Sequence, residues 1–387
     1  MPDPNDPSKL DERTFKGRAM TYYGRWTYKY EIASELGAAA ALIIHETGPA
    51  GYPYEVVRGS FGREQFDLRA AAPGPERVPF EGWLSSATAQ RVLAMAGREL
   101  AELKAAALRR DFAPVPLGVS IEARVQNTVR EVDSANVVAR LPGSDPARQG
   151  EHVAYVAHWD HLGVDEGAAG DRIFNGAVDN ASGVAGLLEL AGAMKRLPKA
   201  PSRSALFIAT TAEEKGLLGA RHYAERPLYP LATTVAVLNM DALNVWAPTR
   251  DLIFLGQDLS TLGDFAVAAA KPEGRVLKPD PEPEKGLFFR SDHFPFSKAG
   301  VPALSIEPGI EAIGKPEGWG LQKRKEYTAK DYHKPSDEVK PDWDLSGLAQ
   351  DLRVVLRVGL GVAEAERYPE WNAGSEFKAA RERSLKP

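Results

Sequence analysis

The stretch His152-Val153-Ala154-Tyr155-Val156-Ala157-His158-Trp159-Asp160 decides how this chain is read. An unbroken apolar run of strand length ends abruptly on an imidazole and a carboxylate. A strand apolar on both faces belongs to a sheet covered on both sides. The chain downstream fits that layout. Asn175-Gly176-Ala177-Val178-Asp179-Asn180-Ala181-Ser182-Gly183 is a loop sequence, and residues 183–194 read as an apolar helix. Strands expected at 204–211, 233–240 and 303–306 then alternate with helices at about 215–225, 262–270 and 345–365. Such alternation predicts an α/β domain of three α/β/α layers around a mainly parallel, mixed sheet.

Upstream, residues 119–125 and 136–141 alternate like strands, with a turn at Pro142-Gly143-Ser144-Asp145-Pro146. Earlier still come an expected helix at 25–36, a strand at 38–45 and one long Ala/Leu/Arg helix at 86–110 that Pro114 stops. Residues 51–79 and 309–330 show no sustained period. These features divide the chain into a disordered, Pro- and Asp-rich start at 1–13, a small α/β domain at 14–114 and a larger domain at 115–387.

Composition excludes several chemistries. With no cysteine among 387 residues, disulfides, thiolate zinc sites, iron–sulfur clusters and cysteine nucleophiles are ruled out, so any metal must be held by His, Asp or Glu. A net charge of −5 without a basic stripe argues against nucleic acid as the partner. No apolar run reaches the roughly 18 residues of a membrane span, so no integral membrane segment is expected. The N-terminal residues have no signal-peptide pattern.

In an open α/β sheet, ligands gather where the carboxyl ends of the strands converge. Here those ends carry His158 and Asp160, then Glu213-Glu214, then Asn239-Met240-Asp241. The loop at 175–183 adds Asp179, and Tyr332-His333-Lys334-Pro335-Ser336-Asp337 adds an imidazole. Each has an ordinary reading alone: Asp179 as a helix cap, Glu213-Glu214 as a solvated first turn, His333 as a surface residue. Converging on one sheet edge, they point to a metal site. There is no H-E-x-x-H helix, since His45-Glu46 runs into Thr47-Gly48-Pro49, and no phosphate loop, dinucleotide fingerprint or G-x-S-x-G elbow.

These blocks, together with Ser291-Asp292-His293-x-Pro295-Phe296, resemble the zinc-dependent exopeptidases that include bacterial leucyl aminopeptidases, glutamate carboxypeptidase and glutaminyl cyclases. The resemblance extends from about residue 119 to the C-terminus. It implies two zinc ions per chain, with Asp179 bridging them, His158 and Asp241 completing one, and Glu214 and His333 the other. Glu213 would be the general base, Tyr332 a donor to the oxyanion, and Asp160 a partner that orients His158. The substrates implied are peptides, their α-amine held near Asp241 and Glu213. The loops at 286–296 and 309–330 are expected to wall the pocket, with Phe288, Phe289, Trp319 and Tyr327 as an apolar subsite and Arg290 facing a substrate carbonyl or carboxylate. Arg290 keeps a carboxypeptidase open beside the aminopeptidase; a non-catalytic binding protein and a one-zinc acyl transfer of the cyclase type are the other readings. Residues 17–45 further resemble a protease-associated domain entered partway, so the N-terminal domain is expected to be incomplete. Export is implied by resemblance alone.

Overall fold

His152–His158 is a strand buried along its whole length, and its neighbours make it the middle of a seven-stranded sheet. The described residues are 2–3, 6–10, 17–50, 52–69, 77–109, 111–167 and 169–386 of a computed structural model, the first two segments by backbone alone. They divide into two units, Met1–Asp133 with Glu282–Phe289, and Ser134–Pro281 with Arg290–Pro387.

The second unit holds the sheet. Its strands are β1 (Val137–Leu141), β2 (His152–His158), β3 (Ser204–Thr210), β4 (Thr234–Met240), β5 (Asp251–Leu255), β6 (Val276–Lys278) and β7 (Ala303–Glu307). Their order across the sheet is β6-β5-β7-β4-β2-β3-β1. The four central strands β7, β4, β2 and β3 run parallel, whereas β1 and β5 join antiparallel, so the sheet is mixed and mainly parallel. In β2/β3 register His158 lies opposite Thr210, and β4 pairs Asn239 with Val156, which brings three carboxyl ends to one edge.

Helices α1 (Ser182–Lys195), α2 (Leu218–Glu225), α3 (Leu262–Ala270), α4 (His293–Lys298), α5 (Trp319–Lys330) and α6 (Ser346–Glu364) complete the principal elements of this unit. Because side chains alternate across a strand, β2 sends Val153, Tyr155 and Ala157 into a core with α1, α3 and α6, and Ala154 and Val156 into a second core with α2 and α4. These are the expected three layers. Packing beneath α6 is close: a Cβ on Gly359 would lie 1.7 Å from the Tyr155 hydroxyl, and Phe207 stacks on that ring at 5.3 Å. Gly359→Ala should therefore destabilise the fold by about 1–3 kcal/mol, the usual cost of overpacking, read as a lowered melting temperature.

The first unit contains a parallel pair of strands, Ala41–His45 and Glu81–Ser85, with helices Trp26–Glu35, Tyr54–Phe61, Ser86–Met95 and Leu100–Ala107. Of the start read as disordered, residues 2–3 and 6–10 form a short antiparallel pair, and 1, 4–5 and 11–16 lie outside the described residues.

Some local expectations need correction. Residues 119–125 are not a strand: Ile121 and Val125 are 59% and 62% exposed, and alternation makes a strand only where a neighbouring ladder takes its backbone groups. The long helix at 86–110 is two helices, broken where Gly97 takes a left-handed φ of 64°. Two strands, β5 and β6, and helix α5 were not anticipated. Among the described residues no helix is long and apolar enough to cross a membrane.

Candidate metal centre

β2 ends by handing His158 to the sheet edge, where Trp159 N–H donates to the Thr210 carbonyl at 2.9 Å. The His158 ring lies with Nδ1 2.8 Å from the main-chain oxygen of Asp160, which leaves Nε2 free to face the carboxylates. That Nε2 is 3.1 Å from Asp179 Oδ1 and 3.4 Å from Asp241 Oδ1. On the other side of Asp179, His333 Nε2 is 3.3 Å from Oδ2 and 3.1 Å from Glu214 Oε2. One carboxylate thus spans two imidazoles, each accompanied by a second carboxylate.

The loop that presents Asp179 is fixed from three directions. Asp337 accepts from Val178 N–H at 3.0 Å, from Asp179 N–H at 3.1 Å and from the Tyr327 hydroxyl at 3.1 Å. Asn180 donates to the Met240 carbonyl at 3.0 Å, and Ser182 accepts from Leu243 N–H at 2.9 Å, tying this loop to the one bearing Asp241. Gly176 opens the loop at φ 62°, where a Cβ would meet the Asp179 carbonyl at 2.4 Å. The Asp179–Asn180 peptide is cis, and Asp179 caps no helix.

Asp241 is braced at Oδ2 by the Ser291 hydroxyl at 2.7 Å, and Ser291 in turn accepts from Asn239 at 2.8 Å. Glu213 and Glu214 sit on a short turn after β3. Among the described residues, four non-glycine residues have left-handed backbone: Ala212, Leu217, Ala242 and His333. All four are a candidate ligand or lie within three residues of one.

Electrostatics match a cation-binding cavity. Burial raises Glu214, but contacts with His161 and His333 outweigh it and bring the carboxyl down to about 2. Burial lowers His333, yet Asp179 and Glu214 lift it to about 10. Burial also works against protonated His158, and Asp241 and Asp179 outweigh it to hold the imidazole well above its usual range. The carboxylates around them thus favour the protonated form of both histidines. His333 Nε2 is buried without a hydrogen-bond partner although two carboxylate oxygens lie nearby, as befits a donor aimed at an ion. The residues fit zinc: nitrogen and oxygen donors only, in two sets sharing one carboxylate.

Glu213 is buried, and burial pushes its carboxyl well above the usual range; Glu214, Asp241 and Asp292 add to this against His158. Tyr332, 41% exposed, stacks on His333 at 3.8 Å. Asp160 differs from expectation in detail. Its main-chain oxygen meets His158, while its carboxylate accepts from Ala212 N–H at 2.8 Å and from the Thr211 hydroxyl at 2.7 Å, holding the turn before Glu213.

The pocket residues are dispersed. Trp319 lines a cavity of about 470 Å³ with Val178, Trp246, Tyr327, Asp337 and Trp343, and Lys315 lies over its ring at 5.1 Å. Phe289 belongs to the first unit, its ring 5.9 Å from Tyr22 and 5.5 Å from Phe288. Arg290 is exposed. Sequence reasoning quoted Ser291 and Asp337 within their blocks without giving either a role, and it did not name His161. Asp337 closes the loop at 332–337, and His161 follows Asp160 directly, so both adjoin residues that the motifs do mark.

Fold and site together define an α/β protein with a cluster of metal-type donors gathered at its strand ends. The sequence profile of peptidase family M28 matches residues 136–356, more than half of the chain. The chain belongs to peptidase family M28. Among its relatives, the alkaline phosphatase isozyme conversion protein of Escherichia coli (strain K12) is 28% identical over 206 residues, covering 49% of this chain and 56% of that protein. Aminopeptidase NAALADL1 of Mus musculus is 33% identical over 132 residues, covering 33% of this chain and 16% of that protein. The chain thus spans about half of the first relative's length and less of the second's. Among solved structures, BSAP, a zinc aminopeptidase from Bacillus subtilis, is similar with a TM-score of 0.44 and 24% identity over 60% of this chain and 50% of that one.

Proposed function

We propose that this protein is a zinc-dependent aminopeptidase that removes single residues from peptide N-termini. The observation that carries this reading is Asp179, whose two oxygens face His158 at 3.1 Å and His333 at 3.3 Å. His158 and Asp241 would hold one ion, Glu214 and His333 the other, with Asp179 common to both. Two bound zinc ions would polarise the scissile carbonyl and lower the pKa of a shared water toward roughly 7.

The chain's own groups do the rest. Glu213, raised by burial, accepts the proton of the attacking water and passes it to the leaving amine. Tyr332 donates its phenol to the developing oxyanion. Asp241 and Glu213 receive the substrate's α-ammonium, so a free N-terminus is required. Asp160 keeps His158 and the Glu213 turn in register through its two kinds of oxygen. Trp319 contributes an apolar wall for the substrate, and Arg290 contacts it. Residues 14–114 act as a protease-associated module and residues 115–387 as the catalytic region.

Metal analysis after exhaustive dialysis should find two zinc ions per chain. Aminoacyl nitroanilides should be cleaved and N-blocked peptides with a free carboxylate should not. Chelation should abolish the activity and added zinc restore it. Cleavage of the blocked peptides alone would make the protein a carboxypeptidase, and a chain with no bound zinc would leave only a binding role.

A further inference from the structure

His161 lies outside the five residues assigned to zinc, yet its side chain is only 6% exposed and Nδ1 is 2.8 Å from Glu214 Oε1. Its ring packs edge-on to His333 at 5.6 Å. Gly176 closes over the other side, where even a Cβ would stand 2.8 Å from His161 Cγ. The ring is therefore held in one place, against one oxygen of one ligand. Both of its nitrogens are buried, and neither has a hydrogen bond of regular geometry among the described residues. Burying an imidazole unsatisfied is costly, and Glu214 Oε1, buried and equally lacking a regular partner, is the acceptor within reach.

The two oxygens of Glu214 are thereby distinguished. Oε2 faces His333 Nε2 at 3.1 Å, while Oε1 faces His161. We propose that His161 is a positioning residue of the metal centre: Nδ1–H donates to Glu214 Oε1 and so commits Oε2 to the ion that Glu214 shares with His333. A ligating carboxylate left free to rotate can chelate through both oxygens or swing away, and a fixed donor on one oxygen removes both options. The inference rests on the two-zinc reading above.

The test compares the full chain with His161→Ala and His161→Asn, whose side-chain amide restores an N–H donor. Zinc stoichiometry is read by metal analysis, affinity by competition with a chromogenic chelator, and ligand geometry by the visible absorption of the cobalt-substituted forms. His161→Ala should keep one ion at wild-type affinity, bind the second about 10- to 100-fold more weakly and shift the cobalt spectrum. His161→Asn should recover most of the affinity and the spectrum. Melting of the metal-free forms separates loss of fold from loss of metal. Wild-type affinity for both ions in His161→Ala overturns the proposal, as does an Asn variant no better than Ala. A wild-type chain that holds no second zinc overturns it by a different route, because the two-zinc reading then fails first.

Discussion

Glu213→Gln should keep the metal content and melting temperature of the wild type and lower kcat/KM by about two to four orders of magnitude, the usual contribution of a positioned general base. The amide has the same shape and donates and accepts hydrogen bonds, but it cannot take a proton. Glu213 suits the role because the turn that carries it separates it from its neighbour: Glu214 contacts His333 and His161, while the Glu213 carboxyl is held up by burial and by surrounding carboxylates. A carboxyl raised in this way takes a proton from water more readily than an exposed one. Near-normal turnover in a fully zinc-loaded Glu213→Gln protein would remove the assignment.

Asp179→Asn should be more severe, because it acts on metal content as well as on rate. An amide offers one weak oxygen ligand where the carboxylate offers two charged ones, and its nitrogen would face an imidazole. Metal analysis should show loss of at least one zinc on dialysis. Activity should fall by more than about a hundredfold, since metal polarisation supplies several kcal/mol of transition-state stabilisation. Both zincs retained with full activity would exclude a bridging role.

Much of this was legible because the informative residues lie where chain pattern and chemistry coincide. β2, β3 and β4 read as apolar runs, and a proposed ligand stands at or just after the end of each. What stayed hidden has physical causes. β5 and β6 are strands of five and three residues that owe their existence to ladder partners, β5 to β7 and β6 to β5. Helix α5 carries Lys, Arg and Glu over most of its surface, so no apolar stripe marks it. Asp337 reaches Val178 across 159 residues of chain, a pairing that no local spacing encodes. Asp160 was singled out for its carboxylate, whereas the group that meets His158 is its main-chain oxygen, which every residue type possesses.

The four left-handed residues bear on how such a protein can change. Ala212, Leu217, Ala242 and His333 each hold a conformation that costs a residue with a Cβ about 1 kcal/mol or more. Glycine would relieve that cost at the first three, and at His333 nothing can without losing the imidazole. Laboratory evolution toward heat resistance alone would therefore drift the first three toward glycine, trading stiffness of the loops that carry the proposed ligands for thermal endurance. Evolution under selection for turnover would hold them where they are, so those three positions record which of the two pressures a lineage has faced.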